Sequence, residues 1–401
     1  MKLQERIKVN HFGPITHLDI EIKRLTFFIG TQGSGKSTVS KLLTIFRDVL
    51  WRYTVVKGRD GMMQFREMNI DKYFYDDTEI EYTFEPFHIS YSKGKFSCVY
   101  LEEPTNQDIL ISVLEKMLAT AGRKVMNNLG YTDIEELKAN DADMNLFVAN
   151  AKTLLYIPAE RIIASQLSDS LANIMASGIP LGGQLKEYMS LFSKARKEFP
   201  EYHVSFLNAT YKFENGLDTI SFDGKGKNDI QLSSCSSGLQ SVLPLLMIMD
   251  YCTLNDYFDS FVVEEPEQNL FPLNQGELMR FLLSKWNNGN NNLAMIITTH
   301  SPYLLSFLNN YLYAAELGRD KKISQDDVRS IINERFWVNL EDFAAYSLGE
   351  EMNGGAFCKS VISEDSHLID FNYLDAVSIN TSEEFEKLQR LYISNHRKRK
   401  D

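Results

Sequence analysis

No two of the four cysteines, Cys98, Cys235, Cys252 and Cys358, are spaced as a CxxC pair or a Cys/His metal motif. That spacing offers no zinc finger, and a disulfide framework is not expected in so large a chain. Long apolar runs are missing too. The most hydrophobic stretch, residues 242–249, contains Pro244 and falls far short of the roughly 18 residues of a membrane span. Residues 1–10 alternate polar and apolar side chains and lack the apolar core of a signal peptide. A cytoplasmic protein with reduced thiols and no membrane partner is expected. Positive charge is also in deficit: 42 Lys and Arg against 54 Asp and Glu leave a formal net charge of −12. This argues against a surface adapted throughout to nucleic acid, though a local basic patch remains compatible. Internal repeats, heptads and proline-rich linkers are absent. What remains is 401 residues, 44% hydrophobic and 24% charged, enough for one large domain or two lobes around an ample core.

Residues 6–9 and 18–28 read as strands joined by a turn at His11-Phe12-Gly13-Pro14. Residues 25–29 run directly into a glycine loop. After it Val39, Leu42, Leu43, Phe46, Val49 and Leu50 recur at helical spacing. Residues 79–84, 89–92 and 96–101 read as antiparallel strands with a hairpin turn at Ser92-Lys93-Gly94-Lys95, followed by helices over 109–129 and 134–151. A buried strand is expected over 153–157, closed by Pro158. A helical stretch over 163–199, broken around Gly178 to Gly183, precedes strands at 209–214 and 219–222. A helix opens at Ser236. A strand over 258–263 ends in two glutamates, a helix covers 278–286, and a strand over 293–298 leads to His300. The divisions expected are 1–57 (first part of the core), 58–150 (antiparallel strands and helical insertion), 151–235 (helical lobe and strands), 236–320 (second part of the core) and 321–401 (completion of the core). The basic tail at 396–400 reads as a solvated terminus.

Gly30-Thr31-Gln32-Gly33-Ser34-Gly35-Lys36-Ser37 fits G-x-x-x-x-G-K-[S/T] in full, with Thr38 following. Glycines at 30, 33 and 35 let backbone N–H groups turn inward as an anion nest. Lys36 brings a charge to the β- and γ-phosphates, and the Ser37 hydroxyl can ligate Mg2+. Glu264-Glu265 ends a predicted buried strand, at the carboxyl edge where ligands bind in such sheets. The first acid suits Mg2+ and the second suits polarisation of water. His300 follows the neighbouring strand and suits γ-phosphate sensing. Ser233-Ser234-Cys235-Ser236-Ser237-Gly238-Leu239-Gln240 is a serine-rich helix start, readable as a plain N-cap or as a second anion site.

The order Lys36, Ser237-Gly238-x-Gln240, Glu264-Glu265, His300 resembles the ATP-binding-cassette ATPases. The likeness is to their non-transporter branch with SMC, RecF and the overcoming-lysogenization-defect ATPases, and most to the compact AAA_15-like ATPases of bacterial defence loci. Tyr156-Ile157-Pro158-Ala159-Glu160-Arg161, Glu264-Glu265-Pro266-Glu267-Gln268-Asn269-Leu270-Phe271-Pro272, Leu368-Ile369-Asp370 and Leu374-Asp375 extend it over nearly the whole chain, least over 58–150. The resemblance implies an α/β P-loop fold of ABC-ATPase type, a mixed sheet with an antiparallel β subdomain and a helical lobe. It implies an enzyme hydrolysing ATP with Mg2+. Residues 30–38 would be the Walker A loop, Glu264 the Walker B acid, Glu265 the catalytic glutamate and His300 the switch histidine. Ser237, Gly238 and Gln240 would be a signature acting in trans within a head-to-tail homodimer, or a higher oligomer of such dimers. Glu264 stands where ABC transporters carry aspartate, and Leu239 where their signature has a second glycine. A Q-loop glutamine has two candidates, Gln166 or a substitute at Glu160 or Arg161, a pair that reads equally as a structural ion pair. In such families the ATPase senses phage infection and controls a separate effector, commonly a nuclease. Residues 301–401 carry no TOPRIM or HNH pattern of their own. The alternative is a RecF-like repair ATPase acting on DNA directly.

Overall fold

The computed structural model describes residues 5–56, 58, 60–84, 87–100, 154–167, 181–224, 229–255, 258, 260–288, 293–350, 353–370 and 381–390. The helices expected over 109–129 and 134–151, the breaks around Gly178 and the basic tail lie outside them.

Strands β1 (Glu5–Phe12), β2 (Ile15–Ile22) and β3 (Leu25–Gly30) open the chain, followed by helices α1 (Lys36–Arg47), α2 (Val49–Val56) and α3 (Met62–Glu67). Residues 18–28 are thus two strands in two sheets, not one. The Thr26 hydroxyl accepts from the Lys23 N–H (2.9 Å) and donates to the Lys23 carbonyl (3.0 Å), which closes the corner at Lys23-Arg24 without glycine or proline. Strands β4 (Phe74–Phe84), β5 (Phe87–Ser92) and β6 (Lys95–Tyr100) follow, β5 and β6 joined at the expected Lys93-Gly94 turn. They continue onto β1 and β2 in an antiparallel sheet ordered β2-β1-β4-β5-β6, so residues on both sides of position 57 share one sheet.

Next come β7 (Leu154–Ile157), α4 (Ile162–Gln166), α5 (Gly183–Glu198), and β8 (Glu201–Val204), β9 (Ala209–Glu214), β10 (Leu217–Phe222) and β11 (Ile230–Gln231), the last four forming a second antiparallel sheet. Then follow α6 (Ser237–Leu254), β12 (Ser260–Glu264), α7 (Pro272–Asn288), β13 (Ala294–Thr299), α8 (Pro302–Arg319), α9 (Gln325–Ile331), β14 (Phe343–Leu348) and β15 (Cys358–Ser360). Pro272 opens α7 six residues ahead of the expected start, at a first-turn position where a missing N–H costs nothing. None of the described helices is long and apolar enough to cross a membrane.

The third sheet is mixed, ordered β15-β14-β3-β13-β12-β7. Its five strands from β14 to β7 run parallel, and β15 is antiparallel to β14. Its parallel strands are buried on both faces, as a parallel sheet covered on both sides requires. Alternation divides them between two cores. Phe27, Ile29, Phe261, Val263, Met295 and Ile297 pack with α5 to α8. Phe28, Val262, Ile296 and Tyr156 pack with α1 and the five-stranded sheet. The register aligns Ile29 with Thr299 and Glu264 with Thr298, so the glycine loop and the acidic strand end emerge at one edge.

Candidate functional site

Helix α1 starts where β3 ends, and the loop between them closes on itself. The Lys36 ammonium donates to the carbonyls of Gly30 (2.9 Å) and Thr31 (2.9 Å), and Lys36 is buried. Gly33 and Gly35 lie in left-handed conformations, φ +78° and +90°, which side chains would strain. A Cβ on Gly30 would meet the Ser34 hydroxyl at 2.3 Å and the Leu348 carbonyl at 2.6 Å. The buried Ser34 hydroxyl has no hydrogen-bond partner. Gln32, Gly33 and Ser37 are exposed, while Thr38 is buried. A glycine cradle with an orphaned hydroxyl, a buried lysine and an open serine fits an anionic phosphate chain.

Three carboxylates face this loop. Burial pushes the Lys36 ammonium down to about 8, opposed by the negative charge of Glu265, Glu264 and Glu267. Glu264 is buried, and its Oε2 accepts from the Ala159 N–H (3.4 Å). Its Oε1 is buried without a hydrogen bond of good geometry, although the buried Tyr156 hydroxyl interacts with this carboxylate, and it is an acceptor of the kind a Mg2+ shell would use. Glu265 Oε1 lies 3.2 Å from His300 Nε2, each side chain about a third exposed. That hydrogen bond chiefly, with the charges of His300, Lys36 and Arg161, lowers the Glu265 carboxyl below its ordinary value. The backbone at Glu265 is left-handed, φ +42°, a conformation costing a non-glycine residue roughly 1–2 kcal/mol.

Two further residues hold this pair: Glu267, which carries no expected role, and Arg161, expected as a Q-loop substitute or an ion-pair residue. Glu267 is buried, its Oε1 accepting from the Thr299 hydroxyl (2.5 Å) and the His300 N–H (3.0 Å). Burial raises its carboxyl above the usual range. The third acid of Glu264-Glu265-Pro266-Glu267 was the available signal. Arg161 is fully buried and donates to backbone carbonyls of the same turn. It forms no ion pair with Glu160, which is exposed. Gln166 ends α4 and is exposed. A segment unforeseen at the loop is the one after β14. A Cβ on Gly349 would lie 3.3 Å from the Ser34 Cβ, and one on Gly35 3.1 Å from the Phe357 ring.

The second helix start is built differently. Ser236 caps α6, its hydroxyl accepting weakly from the Leu239 N–H (3.5 Å). Ser236 and Ser237 are exposed. Gln240 turns inward, its amide donating to the Ser233 (3.0 Å) and Cys235 (2.7 Å) carbonyls, so it shapes the turn instead of facing outward. Gly238 packs against the turn that follows Glu264-Glu265, where a Cβ would meet the Asn269 carbonyl at 2.5 Å. Pro244, inside α6, has no N–H for the Gln240 carbonyl. The Ser165 hydroxyl of α4 supplies that bond instead (2.6 Å).

A parallel sheet presenting a lysine-bearing glycine loop beside an acidic strand end defines a P-loop nucleotide-binding ATPase domain. The chain belongs to the AAA ATPase domain family AAA_15, whose model matches residues 1–140 and 107–305. Among solved structures it is similar to the SMC head domain from Thermotoga maritima, at 13% identity and a TM-score of 0.38 over 77% of this chain and 92% of that one. It is also similar to the Smc head domain with an extended coiled coil, bound to the C-terminal domain of ScpA, from Pyrococcus furiosus. There the identity is 12% and the TM-score 0.42, over 96% of this chain and all of that one. No curated protein matches the chain.

Proposed function

We propose that this chain binds ATP with Mg2+ on the loop 30–38 and hydrolyses it at a site completed by a second copy. The observation that carries the reading is the convergence of Lys36, Glu264, Glu265 and His300 on one sheet edge. Loop N–H groups and Lys36 would hold the phosphates, and Ser37 and Glu264 would hold Mg2+. The metal, when bound, offsets charge developing on the phosphate oxygens. Glu265, kept ionised by His300, would accept the proton of the attacking water. His300, fixed through its own N–H by Glu267, would orient that water against the γ-phosphate. Exposed Ser237 and the N-terminus of α6 would face the phosphates held by the partner copy. Gln240 would support that surface from within. Dimerisation driven by ATP then becomes the output of a switch. On the motif resemblance, the switch would serve as the regulatory ATPase of an anti-phage defence system that acts on a separate effector such as a nuclease.

Glu265→Gln tests the reading. ATP binding should persist, turnover should fall by about two orders of magnitude or more, and gel filtration with ATP should give a stable dimer. Turnover at the parental rate would remove Glu265 from the mechanism. Stimulation of turnover by duplex DNA, with steep salt dependence, would move the assignment to a DNA-repair ATPase.

A further inference from the structure

We infer that Arg161 is the positioning residue of the hydrolytic turn, its buried guanidinium gripping the backbone of residues 264–266 so that Glu265 stays opposite His300. The inference rests on the role proposed for Glu265. Arg161 follows β7, the sheet neighbour of β12, and is fully buried. Its Nη1 donates to the carbonyls of Glu264 (2.7 Å) and Pro158 (3.4 Å). Its Nη2 donates to those of Glu265 (2.6 Å) and Pro266 (3.2 Å). Three consecutive carbonyls thus converge on one cation.

A buried arginine is ordinarily paired with a carboxylate. Among the described residues Arg161 has no ion pair within bonding distance, and its charge is spent on peptide oxygens at the strained position. Glu265 is left-handed there. Its N–H is drawn to the Thr298 carbonyl (2.9 Å) while its own carbonyl is drawn to Arg161. The residue is therefore held through the peptides on both sides of it, and a side chain leaving that left-handed Cα meets His300. The clamp is itself tethered. Four residues on, Ser165 bonds the Gln240 carbonyl that Pro244 leaves free, which ties Arg161's segment to the helix bearing Ser237. The two Nη groups of the planar fork reach these four carbonyls from fixed positions, whereas an ammonium has three donors on a single atom and could not span them all.

The test compares Arg161→Lys with the parent in the full-length chain, reading steady-state turnover, the Kd of a fluorescent ATP analogue and the melting temperature. Turnover should fall between about tenfold and a hundredfold, the effect of displacing a reacting group by an ångström. The Kd should stay within about twofold, because nucleotide binding belongs to the Lys36 loop. In Arg161→Ala, added guanidinium ion should restore part of the lost turnover without changing the Kd. Parental turnover in Arg161→Lys would overturn the inference. So would parallel loss of affinity and turnover, or failure of Arg161→Lys to fold, since either makes the residue a general structural support. Glu265→Gln run alongside separates the two readings. If it stays active, the role of Glu265 fails; if it is inactive while Arg161→Lys is not, only the clamp fails.

Discussion

Two helix starts in this chain are suited to an anion, and they differ in what surrounds them. At α1 the loop is closed: Lys36 is buried among carbonyls, the Ser34 hydroxyl is enclosed, and Gly30 and Gly35 leave little room for side chains. At α6 the serines stand in solvent while the polar glutamine behind them is turned inward. The first is a finished cradle. The second is a surface whose serines are left exposed by the described residues, as those of a half-site would be. A positive helix end contributes little when exposed to water and more when a partner excludes water from it.

The comparison can be broken first at the cradle. Lys36→Ala removes the one buried cation of the loop and should weaken ATP binding about a hundredfold, the worth of a charge-assisted hydrogen bond. Isothermal titration checks this, and parental affinity would sink the assignment. The same titration with Ser237→Glu should show ATP binding near the parental value.

The second helix start is sharpened by Gly238→Ala. Its Cβ would lie 2.5 Å from the Asn269 carbonyl, so α6 must shift away from the turn that follows Glu265. We expect a loss of about 1–3 kcal/mol of stability, as for other overpacked sites, read by thermal denaturation. An unchanged melting temperature would mean that the two segments are not in tight register.

A smaller effect comes from pH. Lys36 loses its proton near pH 8 in the free protein, and bound phosphate favours the charged form. Above pH 8 binding must therefore take up a proton, and ATP affinity should fall by up to about tenfold per pH unit. Below pH 8 it should be flat with respect to this group. Folding responds with the opposite sign to that of a paired lysine. The depressed value means that charged Lys36 disfavours the fold, so stability should rise between pH 8 and 10.5. Affinity that rises through pH 8 would contradict the buried-ammonium account.

The legible parts of the site are those whose chemistry is consecutive. Residues 30–38 could be read because the glycines, lysine and serine of a phosphate loop must be adjacent. The edge position of Glu264 and His300 followed from their places at the ends of apolar runs. Direction within a turn was not legible. Gln240, three residues past Ser237, reaches back to carbonyls because a buried amide must find acceptors. Arg161 read equally as a Q-loop substitute or an ion-pair residue, since bonds to backbone carbonyls leave no mark in sequence. Strand β14 pairs with β3, more than 300 positions earlier, and the short run Phe343–Leu348 had no local signal to announce it. The corner at Lys23-Arg24 was missed because a threonine hydroxyl, not a turn residue, makes it.

Whether the half-site at α6 serves a neighbouring copy can be measured by mixing two inactive chains. Lys36→Ala keeps an intact α6 start, and Ser237→Glu keeps an intact phosphate loop. In a head-to-tail dimer of one of each, one of the two sites is whole. With random pairing, half of the dimers are mixed, so an equimolar mixture should recover about a quarter of parental ATPase activity per chain. A mixture no more active than the two variants measured separately would contradict the composite site.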